Sequence, residues 1–410
     1  MNIPIDLLKD KKILLGVTGS IAVYKSLELT RLFIKAGANV RVIMSESAKK
    51  FVTPLTFETL TSNKILDDTN ESWVNDHNHI KITEWADVLV IAPVTANTIA
   101  KLSNAIADNI LLQSALAFSD EKIIAPSANT NMLFNSLTQT NLKTLESSNY
   151  TVVNTQVKEL ACKTTGDGAM AEPLEVFYST ARTLLKDTFW MDRSVVLTGG
   201  GTIEKIDDVR YLSNFSSGKM ASSLATALYC KGADVKLIAT RFESNLPSGV
   251  LKLDVENTQD MLSSLETSIS QAKDSSKKKP YLFMAAAVSD YIPSATQDGK
   301  LKKDALGESW NLPLTKNMDI LASIDKEGIN SIGFKAEIDR VNATKNATKM
   351  LKNKNLDAVC LNILNNSSSF GSDDNTIDFI TDDGVTSLAT ADKITISFEI
   401  LQNAKNIKSN

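Results

Sequence analysis

Histidine and cysteine are scarce in this 410-residue chain: there are two histidines, His77 and His79, and three cysteines, Cys162, Cys230 and Cys360. So few histidines argue against a zinc site. The cysteines are widely spaced with no metal-type pairing, and reduced thiols in a cytoplasmic protein are the simplest reading. No apolar run approaches the ~20 residues that a membrane helix needs. The opening MNIPIDLLKDKK has no apolar signal core, which argues against export. Neither sign of charge dominates. With a formal net charge of −4 and no concentrated basic excess, nucleic acid is not an expected partner. The run Lys277, Lys278, Lys279 precedes an apolar strand and reads as a solvated loop. Two phosphate-binding fingerprints are also missing. Gly218-Lys219-Met220 has neither the spacing nor the hydroxyl of a Walker loop, and Gly19 lacks the two further glycines of G-x-G-x-x-G.

What is present is the balance of a globular protein, 43% hydrophobic and 22% charged. At roughly 100–200 residues per domain the length suggests two or three domains. Lys12–Val17 is a short apolar run ending in Thr18-Gly19-Ser20. A helical stretch from about Ile21 to Ala36 follows, then Gly37-Ala38 and a second apolar run, Val40–Met44. Strand, glycine turn, helix, glycine stop and strand make a βαβ unit, right-handed and parallel. The order returns at Ser194–Leu197, Gly199-Gly200-Gly201, a helix around Lys219–Cys230, Gly232-Ala233 and Val235–Ala239. Here residues 201–217 lengthen the first turn, at the carboxyl end of a strand where ligands sit.

Further buried strands are expected at Val88–Ala92, Lys122–Ala125, Thr151–Val153, Tyr281–Ala285, Ser331–Phe334 and Ala358–Leu361, alternating with helices. The pattern predicts an α/β protein of two doubly wound, Rossmann-like domains with mainly parallel sheets, 1–188 and 189–410, joined near Leu184–Arg193. The tail from Thr376 reads as a hairpin turning at Asp382-Asp383-Gly384, closed by a helix, Lys393–Asn403.

In the first half a Gly-Ser turn after a strand can present backbone N–H groups and a helix N-terminus to an anion, and a mononucleotide suits it better than a dinucleotide. Three more segments follow in order: His79 in HIKITEWADVLVIAPVTANTIAKLSNAIADN, Asn129 in APSANTNM, and Cys162 in ACKTTGDGAMAEP. Together, from about Lys12 to Pro173, they resemble the flavin-containing cysteine decarboxylases, and closely the phosphopantothenoylcysteine decarboxylase branch. The resemblance implies FMN held by Gly19, Ser20, Ser45, Pro93, Thr95, Ala96 and Asn97. It also implies His79 as active-site base, Asn129 gripping the substrate carboxylate, and Cys162 on a flap over the substrate. His77, two residues before, stands outside the matched motif. The residue types suit the chemistry. Loss of CO₂ from a cysteinyl carboxylate needs an electron sink, which flavin oxidation of the thiol to a thioaldehyde supplies, and a protein thiol can return the last proton. Histidine accepts a proton near neutrality. Asn129 donates hydrogen bonds without a charge that would retain the carboxylate. Ala128 stands where the family commonly has Met, and the smaller residue predicts looser substrate packing.

The second half carries LTGGGTIEKIDDVRYLSNFSSGKMASSLA, AAAVSDYIP, KLKK, GFKAE, NLDAVCLN and FGSDDN. From about Ser194 to the closing helix this set resembles the phosphopantothenate–cysteine ligase domain of bifunctional bacterial proteins. The resemblance implies CTP as co-substrate with Mg²⁺, an acyl-cytidylate formed with release of pyrophosphate, and cysteine displacing CMP. It places Lys300 on the triphosphate, Arg210 and Asn214 on the acyl intermediate, and Asp290 on the nucleotide. Gly199, Gly200 and Gly201 allow close backbone approach, and Phe334, Lys349 and Lys354 complete the expected substrate-binding set; no metal ligands are assigned. The family's Asn-Pro-Asp-Ile appears here as Asn317-Met318-Asp319-Ile320, predicting a less rigid loop, and the partner of Lys354 is shared between Lys349 and Met350.

The expected partners are therefore small molecules: 4'-phosphopantothenate, L-cysteine and CTP. A homo-oligomer is implied, with trimeric contacts between flavin domains and dimeric contacts between ligase domains. Alternatives are a flavin-dependent decarboxylase of another cysteinyl substrate, for which a CTP-using half would be superfluous, and a flavin-binding regulatory subunit, for which a full catalytic set would be superfluous.

Overall fold

The computed structural model describes all residues except 1–2, 160–162, 164, 276, 303–306, 365–370 and 408–410. The chain divides into two compact units, Ile3–Lys186 and Asp187–Asn410. Among the described residues no helix is long and apolar enough to cross a membrane.

In the first unit the strands are β1 (Lys12–Val17), β2 (Asn39–Met44), β3 (Val88–Val94), β4 (Lys122–Pro126) and β5 (Tyr150–Val152). They form a parallel sheet of order β2-β1-β3-β4-β5. All residues of β3 and β4 are buried, as parallel strands covered on both faces require. The helices are α1 (Val23–Lys35), α2 (Pro54–Thr61), α3 (His79–Trp85), α4 (Ala96–Ser103), α5 (Ile110–Ala117), α6 (Thr130–Leu133), α7 (Ser136–Glu146) and α8 (Pro173–Leu185). A small polar residue brings α1 close to the sheet: Ser26 Oγ donates to the Ala92 carbonyl of β3 at 2.7 Å, while buried Thr30 satisfies its hydroxyl within the helix, on the Ser26 carbonyl at 2.7 Å. Between β5 and α8 the chain forms an antiparallel ribbon, β6 (Gln156–Glu159) with β7 (Thr165–Ala169).

In the second unit the central sheet is built from β8 (Ser194–Gly199), β11 (Asp234–Ala239), β12 (Leu251–Asp254), β13 (Tyr281–Met284), β16 (Asn330–Glu337), β17 (Ala358–Ile363), β18 (Asp374–Thr381) and β19 (Gly384–Asp392). Its order is β12-β11-β8-β13-β16-β17-β18-β19, parallel through β17 and antiparallel thereafter. Two small ribbons stand outside it, β9 (Glu204–Lys205) with β10 (Tyr211–Leu212) and β14 (Tyr291–Pro293) with β15 (Leu314–Lys316). Helices α9 (Lys219–Cys230), α10 (Thr258–Ser275), α11 (Ile320–Ser323), α12 (Ala343–Asn353) and α13 (Lys393–Ala404) cover both faces. The period-2 alternation of β8 decides which: Val195 and Leu197 pack with residues of α9 and α13, and Val196 with residues of α10 and α12.

Both strand orders contain a reversal, between β1 and β3 in the first unit and between β8 and β13 in the second. In open α/β sheets the crevice at such a reversal, beyond the strands' carboxyl ends, is where ligands bind.

Candidate active sites

Four loops converge at the carboxyl ends of the first sheet. After β1, Thr18 Oγ1 donates to the Pro93 carbonyl at 2.8 Å and accepts from the Thr95 N–H at 3.2 Å. After β2, the Ser45 N–H donates to the Val17 carbonyl at 3.1 Å, and Ser45 Oγ accepts from the Ala48 N–H at 3.3 Å. A Cβ on Gly19 would stand 2.4 Å from Ser47 Cβ, so only glycine lets these two loops touch. After β4, Ser127 Oγ lies 3.0 Å from Ser20 Oγ. β3 runs to Val94, so Pro93 belongs to the strand, and the helix begins at Ala96 with Thr95 capping it through the Thr98 N–H at 3.3 Å. The strand therefore runs two residues beyond the expected Val88–Ala92. Pro93 interrupts the regular pairing there, since it has no N–H and the β3–β4 register shifts between Ile91 and Val94.

A cavity of about 570 Å³ opens at this point, lined by Ser20, Lys25, Ser127 and Asn129 and on the far side by Lys158 and Gly168 of the β6–β7 ribbon. The ribbon seats on the β4 loop because it is glycine-rich: a Cβ on Gly168 would meet the Ala128 oxygen at 2.1 Å, and one on Gly166 would meet Thr130 Oγ1 at 2.3 Å. Buried Lys25 ties the ribbon's exit, donating to the Met170 carbonyl at 2.7 Å and to Glu172 Oε1 at 3.3 Å. Burial works to raise the Glu172 carboxyl, but hydrogen bonding from Lys158 and the charge of Lys25 outweigh it and hold it below the usual range. Asn129 caps α6, its Oδ1 accepting from the Asn131 N–H at 2.9 Å, which turns the amide's N–H₂ edge the other way.

His79 is not among the residues lining this cavity. It opens α3, and Asn78 caps that helix by accepting from the Ile80 and Lys81 N–H groups at 3.1 and 3.0 Å. His79 Nδ1 lies 2.7 Å from Glu71 Oε1, and the Trp73 ring stands edge-on at 5.6 Å. Cys162 lies outside the described residues.

In the second unit the glycine turn after β8 is knitted to the loop after β13. The Ala287 N–H donates to the Gly200 carbonyl at 2.8 Å, and Asn214 Nδ2 donates to the Ala287 and Val288 carbonyls, both at 3.3 Å. Gly200 has φ +77°, and a Cβ on Gly201 would meet the Asn214 oxygen at 2.7 Å. Gly199 lets α9 approach, since a Cβ there would lie 2.5 Å from Ala221 Cβ.

Two cavities share Ala286 and Phe334 at this point. One, of about 450 Å³, brings together Asp290, Asn317, Asp319, Phe334 and Lys354. Met350 lines it and Lys349 does not; Lys349 is exposed to solvent. Lys354 Nζ pairs with Asp319 Oδ2 at 2.7 Å. Asn317 does the fixing in place of a proline, donating to the Ser289 carbonyl at 2.7 Å and to Thr258 Oγ1 at 2.8 Å, while Asp319 caps α11 through the Ala322 N–H at 3.1 Å. The other cavity, of about 200 Å³, is lined by Lys219, Lys335 and Lys393 with Ser216, Ser217 and Asn362, and among the described residues by no carboxylate. Burial, reinforced by the Lys219 charge, pushes the Lys393 ammonium down. Lys219 and Lys335 lie in quoted motifs, but their convergence with Lys393 is not readable from the sequence, because the three come from distant elements.

Lys300 and Arg210 line neither cavity. Lys300 is exposed on a loop held by buried Asp207, whose Oδ2 accepts from the Leu301 N–H and from Arg210 Nη1, each at 3.1 Å. Burial tends to raise the Asp207 carboxyl, but donation from the Val209, Leu301 and Arg210 N–H groups holds it below the usual range.

A flavoprotein family profile matches residues 3–185, and a profile described as the DNA/pantothenate metabolism flavoprotein C-terminal domain matches residues 190–407. The chain is 35% identical over 409 residues to the coenzyme A biosynthesis bifunctional protein CoaBC of Vibrio parahaemolyticus, covering 98% of this chain and 99% of that one. It is 35% identical to the protein of that name from Bacillus subtilis, covering 97% of each. It is 32% identical to the one from Escherichia coli, covering 92% of each. Among solved structures, a PPC decarboxylase mutant complexed with pantothenoylaminoethenethiol aligns at 33% identity and TM-score 0.39, over 42% of this chain and 97% of that one. The C-terminal domain of a CoaBC protein aligns at 29% identity and TM-score 0.42, over 53% of this chain and 97% of that one. The chain belongs to the family of bifunctional coenzyme A biosynthesis proteins.

Proposed function

We propose that the chain performs two consecutive steps of coenzyme A synthesis, ligating L-cysteine to 4'-phosphopantothenate in the second unit and decarboxylating the product in the first. The observation that carries this reading is the full-length match to bifunctional relatives, with a cavity at the strand-order reversal of each sheet.

FMN suits the first site. Gly19 lets the loops after β1 and β2 touch, Ser20 and Ser127 put hydroxyls on the cavity beside them, and the flavoprotein profile spans the unit. Ser20, Ser45 and the 93–97 segment would hold the cofactor, which supplies the electron sink when bound. The chain's own residues do the rest. Asn129 donates to the substrate carboxylate, and His79 takes the departing proton. The β6–β7 ribbon excludes water, and Cys162 returns a proton to the product. His79 stands apart from the cavity beside Asn129, which supports a homo-oligomeric site completed by a second subunit, within the trimeric flavin-domain and dimeric ligase-domain contacts of the reading.

In the second unit CTP fits the cavity of Asp290, Phe334 and Lys354, with Lys300 closing on its phosphates. The neighbouring lysine-lined cavity suits a phosphorylated substrate, as charge neutralisation and positioning are most of what such a transfer needs. Mg²⁺ keeps most of its waters and binds mainly through substrate phosphates, so it would arrive on the nucleotide's triphosphate. Cys230 and Cys360 are buried, and reduced thiols go with the cytoplasmic setting of the reading.

The test supplies 4'-phosphopantothenate, cysteine and CTP, and follows CMP and CO₂ separately. His79→Asn should stop CO₂ release and spare CMP formation; Lys300→Gln should stop CMP formation while supplied phosphopantothenoylcysteine is still decarboxylated. A wild-type protein that releases neither product would overturn the reading.

A further inference from the structure

Glu71 lies eight residues before His79, in a loop with no helical or strand periodicity. Ser72 and His77 close that loop by a reciprocal pair of backbone hydrogen bonds, 2.7 and 2.9 Å, which folds Glu71 back over the start of α3. There Oε1 accepts from the His79 backbone N–H at 3.3 Å and lies 2.7 Å from Nδ1 of the same residue. The pair is only partly open to water, with side-chain exposures of 22% for His79 and 28% for Glu71. A carboxylate oxygen accepts and does not donate, so the ring must carry its hydrogen on Nδ1. That leaves the Nε2 lone pair outward as the proton acceptor. His77 offers an internal contrast. Its Nε2 lies 3.1 Å from the Ile65 carbonyl, an acceptor only, so its hydrogen sits on Nε2.

We propose that Glu71 is a positioning residue for decarboxylation: its carboxylate fixes the Nδ1–H tautomer and ring orientation of His79 and faces the positive charge the ring acquires. The inference rests on the reading of His79 as the base. The proton leaving the substrate goes to Nε2, its electron pair stays on the substrate, the Nδ1 hydrogen stays on His79, and Glu71 remains unprotonated. Glu71 touches neither substrate nor cofactor in this role and acts through the ring.

With two histidines in the chain, ¹⁵N-histidine labelling of the full-length flavin-loaded protein gives two ring spin systems. At a pH where the rings are neutral, two-bond ¹H–¹⁵N correlations should show opposite tautomers in the wild type. Glu71→Ala should move His79 toward the Nε2–H form and leave His77 unchanged. Glu71→Gln, whose amide oxygen still accepts, should keep the wild-type pattern. In turnover Glu71→Ala should lower kcat for CO₂ release by about a hundredfold with KM, flavin content and ligation unchanged, and Glu71→Gln should recover a good part of it. An unchanged His79 tautomer, or unchanged kcat, in Glu71→Ala overturns the proposal. Absence of CO₂ release from the wild type instead overturns the decarboxylase reading, and the tautomer shifts still report on the pair.

Discussion

Gly19 illustrates how a single missing methyl group lets two loops touch beside the proposed cofactor site. A Cβ there would meet Ser47 Cβ at 2.4 Å and the Ser47 carbonyl carbon at 2.9 Å, and that carbon belongs to backbone that cannot rotate away. Gly19→Ala must therefore part the loops after β1 and β2. Overpacking of this kind costs about 1–3 kcal/mol, and where it falls on the bound state FMN should bind roughly tenfold or more weakly. Flavin titration of the deflavinated protein, with CMP formation as a folding control, tests this; equal affinity would mean the loops open freely. Residues of this sort were legible in the sequence because a turn glycine announces itself. Glu71 and Ser127 were not, since neither is fixed by helical or strand spacing and each acquires its meaning only when a loop folds back or a neighbouring strand arrives.

Secondary-structure elements divide in the same way. The apolar runs at Lys12–Val17 and Asn39–Met44 and the helix Lys219–Cys230 stand where hydrophobic periodicity puts them, because buried parallel strands and amphipathic helices write their environment into composition. The ribbons β6–β7, β9–β10 and β14–β15 do not. Their strands are two to five residues long and largely solvent-facing, so no apolar face marks them. The loop bearing Lys300 is held in the same unadvertised way, by Asp207. Asp207→Asn would put an amide N–H₂ or a weaker oxygen opposite the Leu301 N–H and the Arg210 guanidinium, so hydrogen-exchange protection at Leu301 should fall and KM for CTP should rise severalfold, with CO₂ release untouched. Since the folded-state carboxyl lies below its unfolded value, the tether contributes fully above the ordinary carboxylate range and is lost only as pH falls through the depressed value. Protection at Leu301, corrected for intrinsic exchange, should accordingly survive mild acidification; loss at the ordinary carboxylate pH would remove Asp207 as the tether.

At the scale of the whole molecule, each unit carries its own core. One apolar cluster draws only on residues from Leu14 to Leu145, and two others only on residues from Trp190 onward. Among these clusters of described residues none draws on both units, and the chain is expected to unfold in two thermal transitions. Ligand linkage then assigns them. A ligand at a hundredfold over its Kd stabilises its own unit by about 2.7 kcal/mol. For a domain of 150–250 residues, at roughly 2–4 °C per kcal/mol, that is a rise of about 5–10 °C. FMN added to deflavinated protein should raise one transition and CTP with Mg²⁺ the other, each leaving its neighbour in place. Scanning calorimetry with each ligand separately decides the matter. A single transition raised by either ligand would mean that the two units melt as one cooperative body despite their separate cores, and that occupancy of one site stabilises the other.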